Sequence, residues 1–267
     1  NQGEAKKSIP MALFNNNTLV TKHSFSIEKN EIKTLLFPIQ NQQKFNGKIT
    51  LDIDDTFAFD NVFYFAVNLP EKINVLNIGN ASKFLTKIYS KNEFNFKTTS
   101  LKNINYNSLQ KQDLIILNEL KSIPSRLTRY LEKHLSSDGS ISIIPSKDID
   151  TQSYNSFFKR VTNGRITEKR NDSLKITNIH FKNPFFKNVF TKSIQNFQYP
   201  FVKTRYNNSF RGANTIISFE NQHDFISQLS SKKGRIYWFS APLHSSNSNF
   251  TRSPLVNTFL QLRKTQC

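Results

Sequence analysis

Few residues in this chain are of a type that does covalent chemistry. There is one cysteine, Cys267, at the last position, which leaves no disulfide framework and no cysteine-based zinc site. Five histidines, His23, His134, His180, His223 and His244, are scattered without ligand spacing. His23 falls on the apolar-alternating face of a predicted strand and reads as partly buried and structural. Asp52, Asp54, Asp55 and Asp60 offer the oxygen ligands that calcium takes, but they lack the EF-hand frame, and aspartates commonly end strands and form turns. The sequence contains no Gly-x-Ser-x-Gly, P-loop, dinucleotide fingerprint or His-Glu-x-x-His. The expectation is a chain with no metal, no cofactor and no catalytic residue.

Two weaker clusters remain. Asn80, Ser82, Asn118, Glu119 and Ser146 each follow a short apolar run. If those runs are parallel strands, the five residues line the crevice at the strands' carboxyl ends, where open α/β sheets bind ligands. They offer hydrogen bonds but no base-activated nucleophile, so a small polar ligand is the most they would hold. The second cluster is one of charge. The net charge is +18, yet residues 1–70 balance seven Lys against seven Asp or Glu. The stretch 151–211 holds twelve basic residues against Glu168 and Asp172 alone. Lys159, Arg160, Arg165, Lys169 and Arg170 form its candidate anion-binding patch, suited to an acidic protein or an anionic surface. Phe157, Phe158, Phe181, Phe185 and Phe186 lie among these cations and invite a nucleic-acid reading. However, Phe157 and Phe158 have helical core spacing and no recognised nucleic-acid module frames them, so nucleic acid is not expected.

These residues must be held by elements of two kinds. From Leu19 to Leu69 the apolar residues alternate, in short runs 19–27, 31–39, 48–53 and 61–69. That pattern predicts a small antiparallel immunoglobulin-like β-sandwich over residues 1–70. From residue 71 the period changes. Buried-strand runs 73–78, 113–117 and 140–144 alternate with amphipathic segments carrying Phe84, Leu85 and Ile88, then Leu127, Leu131 and Leu135, then Tyr154, Phe157, Phe158 and Val161. This predicts an α/β open sheet over 71–267, with the three runs parallel and Ser82 capping the first helix. Strands return at 214–219, 224–229 and 235–240, the last two joined by a hairpin turn at 231–234. Ile, Leu, Val and Phe make up 80 of the 267 residues, enough to fill a sizeable core. The longest uncharged apolar run is the nine residues Asn61 to Leu69, against about 20 for a membrane span. The chain opens on Asn1 with no apolar leader segment, so no signal peptide is expected.

The order of landmarks resembles the extracytoplasmic region of BatA-like proteins, Bacteroidetes membrane proteins with an aerotolerance-regulator N-terminal segment. The resemblance is carried by Asp60-Asn61-Val62-Phe63-Tyr64-Phe65, Val75-Leu76-Asn77-Ile78 and Asp113 to Leu120. It is also carried by Gly139 with Ser140 to Pro145, and by Gly234-Arg235-Ile236-Tyr237-Trp238-Phe239. It covers roughly residues 45–260 and rests on order and local pattern. It implies a β-sandwich followed by a flavodoxin-like sheet similar to class I glutamine amidotransferases. It further implies flanking membrane helices outside this chain, a periplasmic location at the bacterial inner membrane, and partners with von Willebrand factor A domains or a MoxR-type ATPase. Amidotransferase chemistry needs a cysteine on a tight strand-to-helix turn, but the corresponding strand ends Ile143-Ile144-Pro145-Ser146-Lys147. The expected function is therefore a non-catalytic interaction domain within a membrane assembly. The alternatives are a hydrolase using Ser146 and a binder of nucleic acid or another polyanion.

Overall fold

A computed structural model of the chain describes residues 3–38, 44–53, 58–68, 71–89, 93–180, 198–253 and 256. The chain divides into two compact units, residues 1–71 and 72–267.

In the first unit, β1 (Lys6–Asn15) and β2 (Thr18–Ile27) form a hairpin. Its two loop residues, Asn16 and Asn17, both take positive φ (46° and 70°), the geometry that matches the right-handed twist of paired strands. β3 (Phe45–Leu51) and β4 (Val62–Val67) complete an antiparallel sheet of order β2-β1-β3-β4. Ile9, Met11 and Leu13 alternate onto its buried face together with Phe45. The described residues supply this single layer, and a facing second sheet is not among them. The strand expected over 31–39 does not form in the described part, 31–38. Instead the Glu31 carboxylate accepts the Glu28 amide in a turn, and Pro38 has no N–H to give a ladder. His23 is exposed rather than partly buried, with its ring edge-on to Phe37 at 5.3 Å.

The second unit is a mixed α/β structure dominated by a nine-stranded sheet. Its elements are β5 (Ile73–Gly79), α1 (Lys83–Ile88), β6 (Phe94–Thr99), β7 (Leu114–Asn118), α2 (Ser125–Ser136), β8 (Ser140–Ile144) and α3 (Thr151–Val161). They continue with β9 (Gly164–Arg170), β10 (Leu174–Ile179), β11 (Phe201–Val202), β12 (Arg205–Phe210), β13 (Asn214–Phe219), β14 (Asp224–Ser231) and β15 (Gly234–Phe239). The order is β11-β10-β13-β14-β15-β8-β7-β5-β6. Strands β6, β5, β7, β8 and β15 run parallel, as the apolar runs predicted for β5, β7 and β8. The remainder of the sheet is antiparallel. β9 and β12 pair separately as a two-stranded ribbon.

Alternation along the central strands sends Leu76, Ile78, Ile115, Leu117, Ile141 and Ile143 to one face. There they meet Leu127, Leu131 and Leu135 of α2 and Tyr154, Phe157 and Phe158 of α3, all fully buried. Val75, Leu114, Ile116 and Ile144 pack on the other face with Leu85 of α1 and Phe250. Each such side chain contributes about 1.5–3 kcal/mol by leaving water, so both faces are firmly covered. Among the described residues no helix is long and apolar enough to cross a membrane.

Candidate functional site

Strands β5 and β7 are neighbours, yet the chain leaves β5 toward β6 on one side and continues to β8 on the other. Their carboxyl ends therefore form a topological switch point, the usual ligand position in such sheets. Four of the five expected crevice residues meet there. The Asn80 amide donates to the Asn118 carbonyl (3.0 Å), and Asn118 Nδ2 donates back to the Asn80 carbonyl (2.8 Å) and to Ser82 Oγ (2.9 Å). Asn80 Nδ2 donates to Glu119 Oε2 (2.8 Å), and the buried Asn77 adds Nδ2 to the Asn80 carbonyl (2.9 Å). Ser82 does not cap α1, because its hydroxyl faces Asn118 instead. Gly79, at φ +120°, lets the backbone turn so tightly that a Cβ would strike the Asn118 carbonyl oxygen. The polar groups that were to face a ligand thus bind one another.

Ser146, the fifth residue, follows β8. Its carbonyl accepts from the Tyr206 hydroxyl (3.0 Å), as does that of Lys147 (2.6 Å), and the Tyr206 oxygen accepts the Ile149 amide (3.2 Å). This phenol pins the loop after β8. Ser146 Oγ itself is buried with no hydrogen-bond partner among the described residues. A serine nucleophile needs a base within hydrogen-bond reach, and Ser146 Oγ meets none among the described residues. His134 contacts the Ser140 carbonyl, His180 the Ser218 hydroxyl and His244 the Ser246 hydroxyl. Asp54 and Asp55 of the acidic group lie outside the described residues, as do Phe181, Phe185, Phe186 and Cys267. Among the described residues no group of three or more His, Cys, Asp or Glu side chains could hold a metal ion.

The positive patch divides in two. Arg160 donates through Nε and Nη2 to Glu132 (3.1 and 2.7 Å), which Lys232 also contacts (3.0 Å). Those hydrogen bonds, from Arg160 first, hold the Glu132 carboxyl below its ordinary range. Lys169 pairs with Asp148 and lowers that carboxyl likewise, and Arg170 pairs with Glu168 at 2.9 Å. Lys159 and Arg165 are different. They line one open groove of about 870 Å³ together with Arg211, Asn163, Ser209 and Phe210. None of its lining residues is acidic, and none of its three cations is ion-paired among the described residues.

The fold builds this groove from distant parts of the chain. The β9–β12 ribbon pairs Gly164 with Phe210 and Arg165 with Ser209, and the Arg211 amide donates to the Asn163 carbonyl (2.8 Å). Asn155 of α3 exchanges two hydrogen bonds with the Ile166 backbone, fixing the ribbon to the helix. Phe210 forms the floor, edge-on to Phe158 at 4.8 Å and to Trp238 at 6.2 Å. Arg211 was absent from the five-residue patch, since only the β9–β12 register brings it beside Arg165. The Tyr206/Phe210 aromatic spacing was the available sign that a strand preceded it.

The described structure is a mixed α/β protein, mostly sheet, whose second unit has an open sheet with a switch point. No family model and no curated protein matches the chain. Among solved structures, it is similar to a cytoplasmic protein from Salmonella typhimurium LT2, STM1381, at TM-score 0.55 and 12% identity, covering 70% of this chain and 96% of that one. A second cytoplasmic protein from Salmonella typhimurium, STM3548, matches at TM-score 0.54 and 10% identity, covering 72% of this chain and 98% of that one. Identities this low establish the fold alone.

Proposed function

We propose that this chain is a non-catalytic interaction module whose α/β unit engages an anionic partner through the groove of Lys159, Arg165 and Arg211. One observation carries the reading. These three cations share an open groove with no carboxylate in its lining, while Arg160, Lys169 and Arg170 each have a carboxylate within ion-pair distance. An unpaired cation in a groove keeps its field available to a ligand. The self-bonded crevice at the switch point supports the same reading, because Asn118 has spent both amide hydrogens internally.

The finer fold assignment belongs to this proposal. The parallel strands, taken in chain order as one to five, lie in the spatial order 2-1-3-4-5, which supports a flavodoxin-like and amidotransferase-like sheet. The four-stranded antiparallel layer supplies one half of an immunoglobulin-like sandwich. On that basis the chain is the periplasmic part of a BatA-like membrane-anchored protein. It works beside von Willebrand factor A-domain proteins and a MoxR-type ATPase, with anionic headgroups close to the positive groove. The test is sedimentation of the chain with anionic and neutral vesicles. Binding to the anionic set alone, removed by Lys159→Glu with Arg165→Glu and Arg211→Glu, is the expected result. Equal binding to both sets, or an unaffected triple variant, overturns it.

A further inference from the structure

The antiparallel sheet of the first unit ends in two unlike edges. β2, at one side, carries the exposed Lys22, and the Lys33 ammonium donates to its Ser26 carbonyl (2.9 Å). Charge of that kind is how native sheets keep an edge from pairing with other chains. β4, at the other side, is Val62-Phe63-Tyr64-Phe65-Ala66-Val67. It has no charge, no proline and no break in its register with β3, and no described strand pairs with its outer side. Phe63 and Tyr64 are 63% and 72% exposed.

Hydrogen bonds at the ends of β3 identify the backbone groups that face outward. The Asn46 carbonyl accepts from the Asn16 amide (3.1 Å), and the Asp52 amide donates to the Pro10 carbonyl (2.9 Å), so the even-numbered residues of β3 turn toward β1. The Leu51 amide donates to the Asn61 carbonyl (2.8 Å), so the odd-numbered ones turn toward β4. Through the pairs Ile49–Phe63, Gly47–Phe65 and Phe45–Val67, the residues Phe63, Phe65 and Val67 direct their backbone groups to β3. Alternation then leaves the N–H and C=O of Val62, Tyr64 and Ala66 directed away from the sheet, and all three residues are exposed. The strand is held firmly in this position. The Phe65 ring lies against Gly47, where a Cβ would strike it, and stacks on Phe45 at 5.8 Å.

These outward groups complement themselves. Two copies of β4, antiparallel about a two-fold axis at Tyr64, set Val62 opposite Ala66 and Tyr64 opposite its own counterpart. Each outward N–H then meets an outward C=O, and three residues from each copy give about six hydrogen bonds. Phe63 falls opposite Phe65, a cross-strand aromatic pair on the face that already buries Met11 and Leu13. Charge permits the pairing, because residues 61–70 hold no charged side chain and no like charges meet at the axis. We infer that β4 is a homodimerisation edge, through which a second copy of this chain joins its four-stranded sheet to this one. The pairing is isologous and closes at two copies, and the guarded β2 edge adds no third. It rests on neither the cationic groove nor its ligand.

The contact is one short strand, at the small end of protein interfaces, so association should depend on concentration. Sedimentation equilibrium of the full chain from about 1 µM to 1 mM, the range of weak complexes, tests it. Salt of about 0.15 M, with a Debye length of about 8 Å, screens the +18 on each copy. The mass should rise from 31.0 kDa toward twice that value and no further. Tyr64→Lys, which sets two ammonium groups across the axis, should keep the fold by circular dichroism and weaken association at least about tenfold. Val20→Lys on β2 should leave association unchanged. The register is read separately in a Cys267→Ser background, which also decides the matter should Tyr64→Lys misfold. Tyr64→Cys should give a disulfide-linked dimer with oxidised glutathione, since opposed hydrogen-bonded residues have Cα atoms about 5.5 Å apart. Val62→Cys should not, because its two copies lie about 13 Å apart along the strands. A chain monomeric at every concentration, or a mass that climbs past two copies, would overturn the proposal. So would unaltered association in Tyr64→Lys, or equal crosslinking at positions 62 and 64.

Discussion

Two triple variants with the same change in net charge separate a built groove from a merely positive protein. In one, Lys159, Arg165 and Arg211 become Ala; in the other, Lys87, Lys97 and Lys102 do, all three exposed and without an ion-pair partner among the described residues. Each lowers the formal charge of +18 by three. Beside an anionic membrane a nearby Lys or Arg contributes about 1 kcal/mol, so the groove variant should lose about 3 kcal/mol, or roughly 150-fold in partitioning. Lys97 lies on the edge strand β6, with Lys87 and Lys102 on the segments either side of it, all outside the groove's lining. At about 0.1 M salt, where the Debye length is about 10 Å, removing them should change partitioning only about threefold, under 1 kcal/mol. At about 0.01 M the Debye length reaches about 30 Å, the whole +18 is felt, and the two variants should converge. Vesicle sedimentation at both salt concentrations, with folding confirmed by circular dichroism, reads the difference. Equal losses for the two variants at the higher salt would refute the reasoning.

Tyr206→Phe should destabilise the protein by about 2 kcal/mol, because Ile149 N–H and the Ser146 and Lys147 carbonyls lose their shared hydroxyl; urea unfolding measures it, and a loss below about 0.5 kcal/mol would show that water replaces the phenol. Ser146→Ala should leave stability unchanged within about 0.5 kcal/mol, since Oγ has no partner to lose, and any esterase or glutaminase turnover abolished by it would contradict the non-catalytic reading. The carboxyls of Glu132, Asp148 and Asp172 are held low by hydrogen bonds from Arg160, Lys169 and Arg205 respectively. Their contribution is complete above the ordinary carboxylate range and is lost as pH falls through the lowered folded values, so Tm should be level from about pH 7 to 5 and drop below about pH 4. A Tm independent of pH over that range would show that these pairs contribute nothing. At the other extreme, burial pushes the phenols of Tyr154 and Tyr206 up. The stability they give is present below the ordinary tyrosine range and lost as pH rises through the raised values, which absorbance titration would show as late ionisation.

The parallel strands were legible because burial on both faces leaves a run such as Leu114-Ile115-Ile116-Leu117 with no polar interruption, and few other structures produce one. α2 and α3 were legible through Leu127, Leu131 and Leu135 and through Tyr154, Phe157, Phe158 and Val161, which repeat at helical spacing. β6, β9, β10 and β12 were not. Phe94 to Thr99 alternates weakly at a sheet edge, and Gly164 to Arg170 is almost wholly polar, since the β9–β12 ribbon buries little beyond Ile166, Arg205 and Tyr206. Strands of that kind are specified by their partner rather than by their own pattern. The functional reading inherited the gap. The composition of 151–211 correctly marked the region as positive, but charge in a sequence carries no information on pairing. Glu132, Asp148 and Glu168 neutralise three of the five named cations, and two of those acids lie outside the stretch that was counted.

The switch point shows how a fold can keep a ligand position and fill it with its own hydrogen bonds. The strands end together and the loops leave in opposite directions, so the crevice is set by topology. Its contents depend on local backbone choices, and here those choices face inward. Gly79 at φ +120° and Glu119 at φ +55° bring the two loops close enough for the Asn80 and Asn118 backbones to bond directly. Glu119 is locked further by its amide to the Ile144 carbonyl (2.8 Å). A non-glycine residue in the left-handed region is uncommon, and sites of this kind persist only where surrounding contacts hold them. At this crevice the holding contacts are Asn–Asn hydrogen bonds that a ligand would have to break. The proposed groove of Lys159, Arg165 and Arg211 asks for no such exchange, because its cations have no ion-pair partner among the described residues to give up.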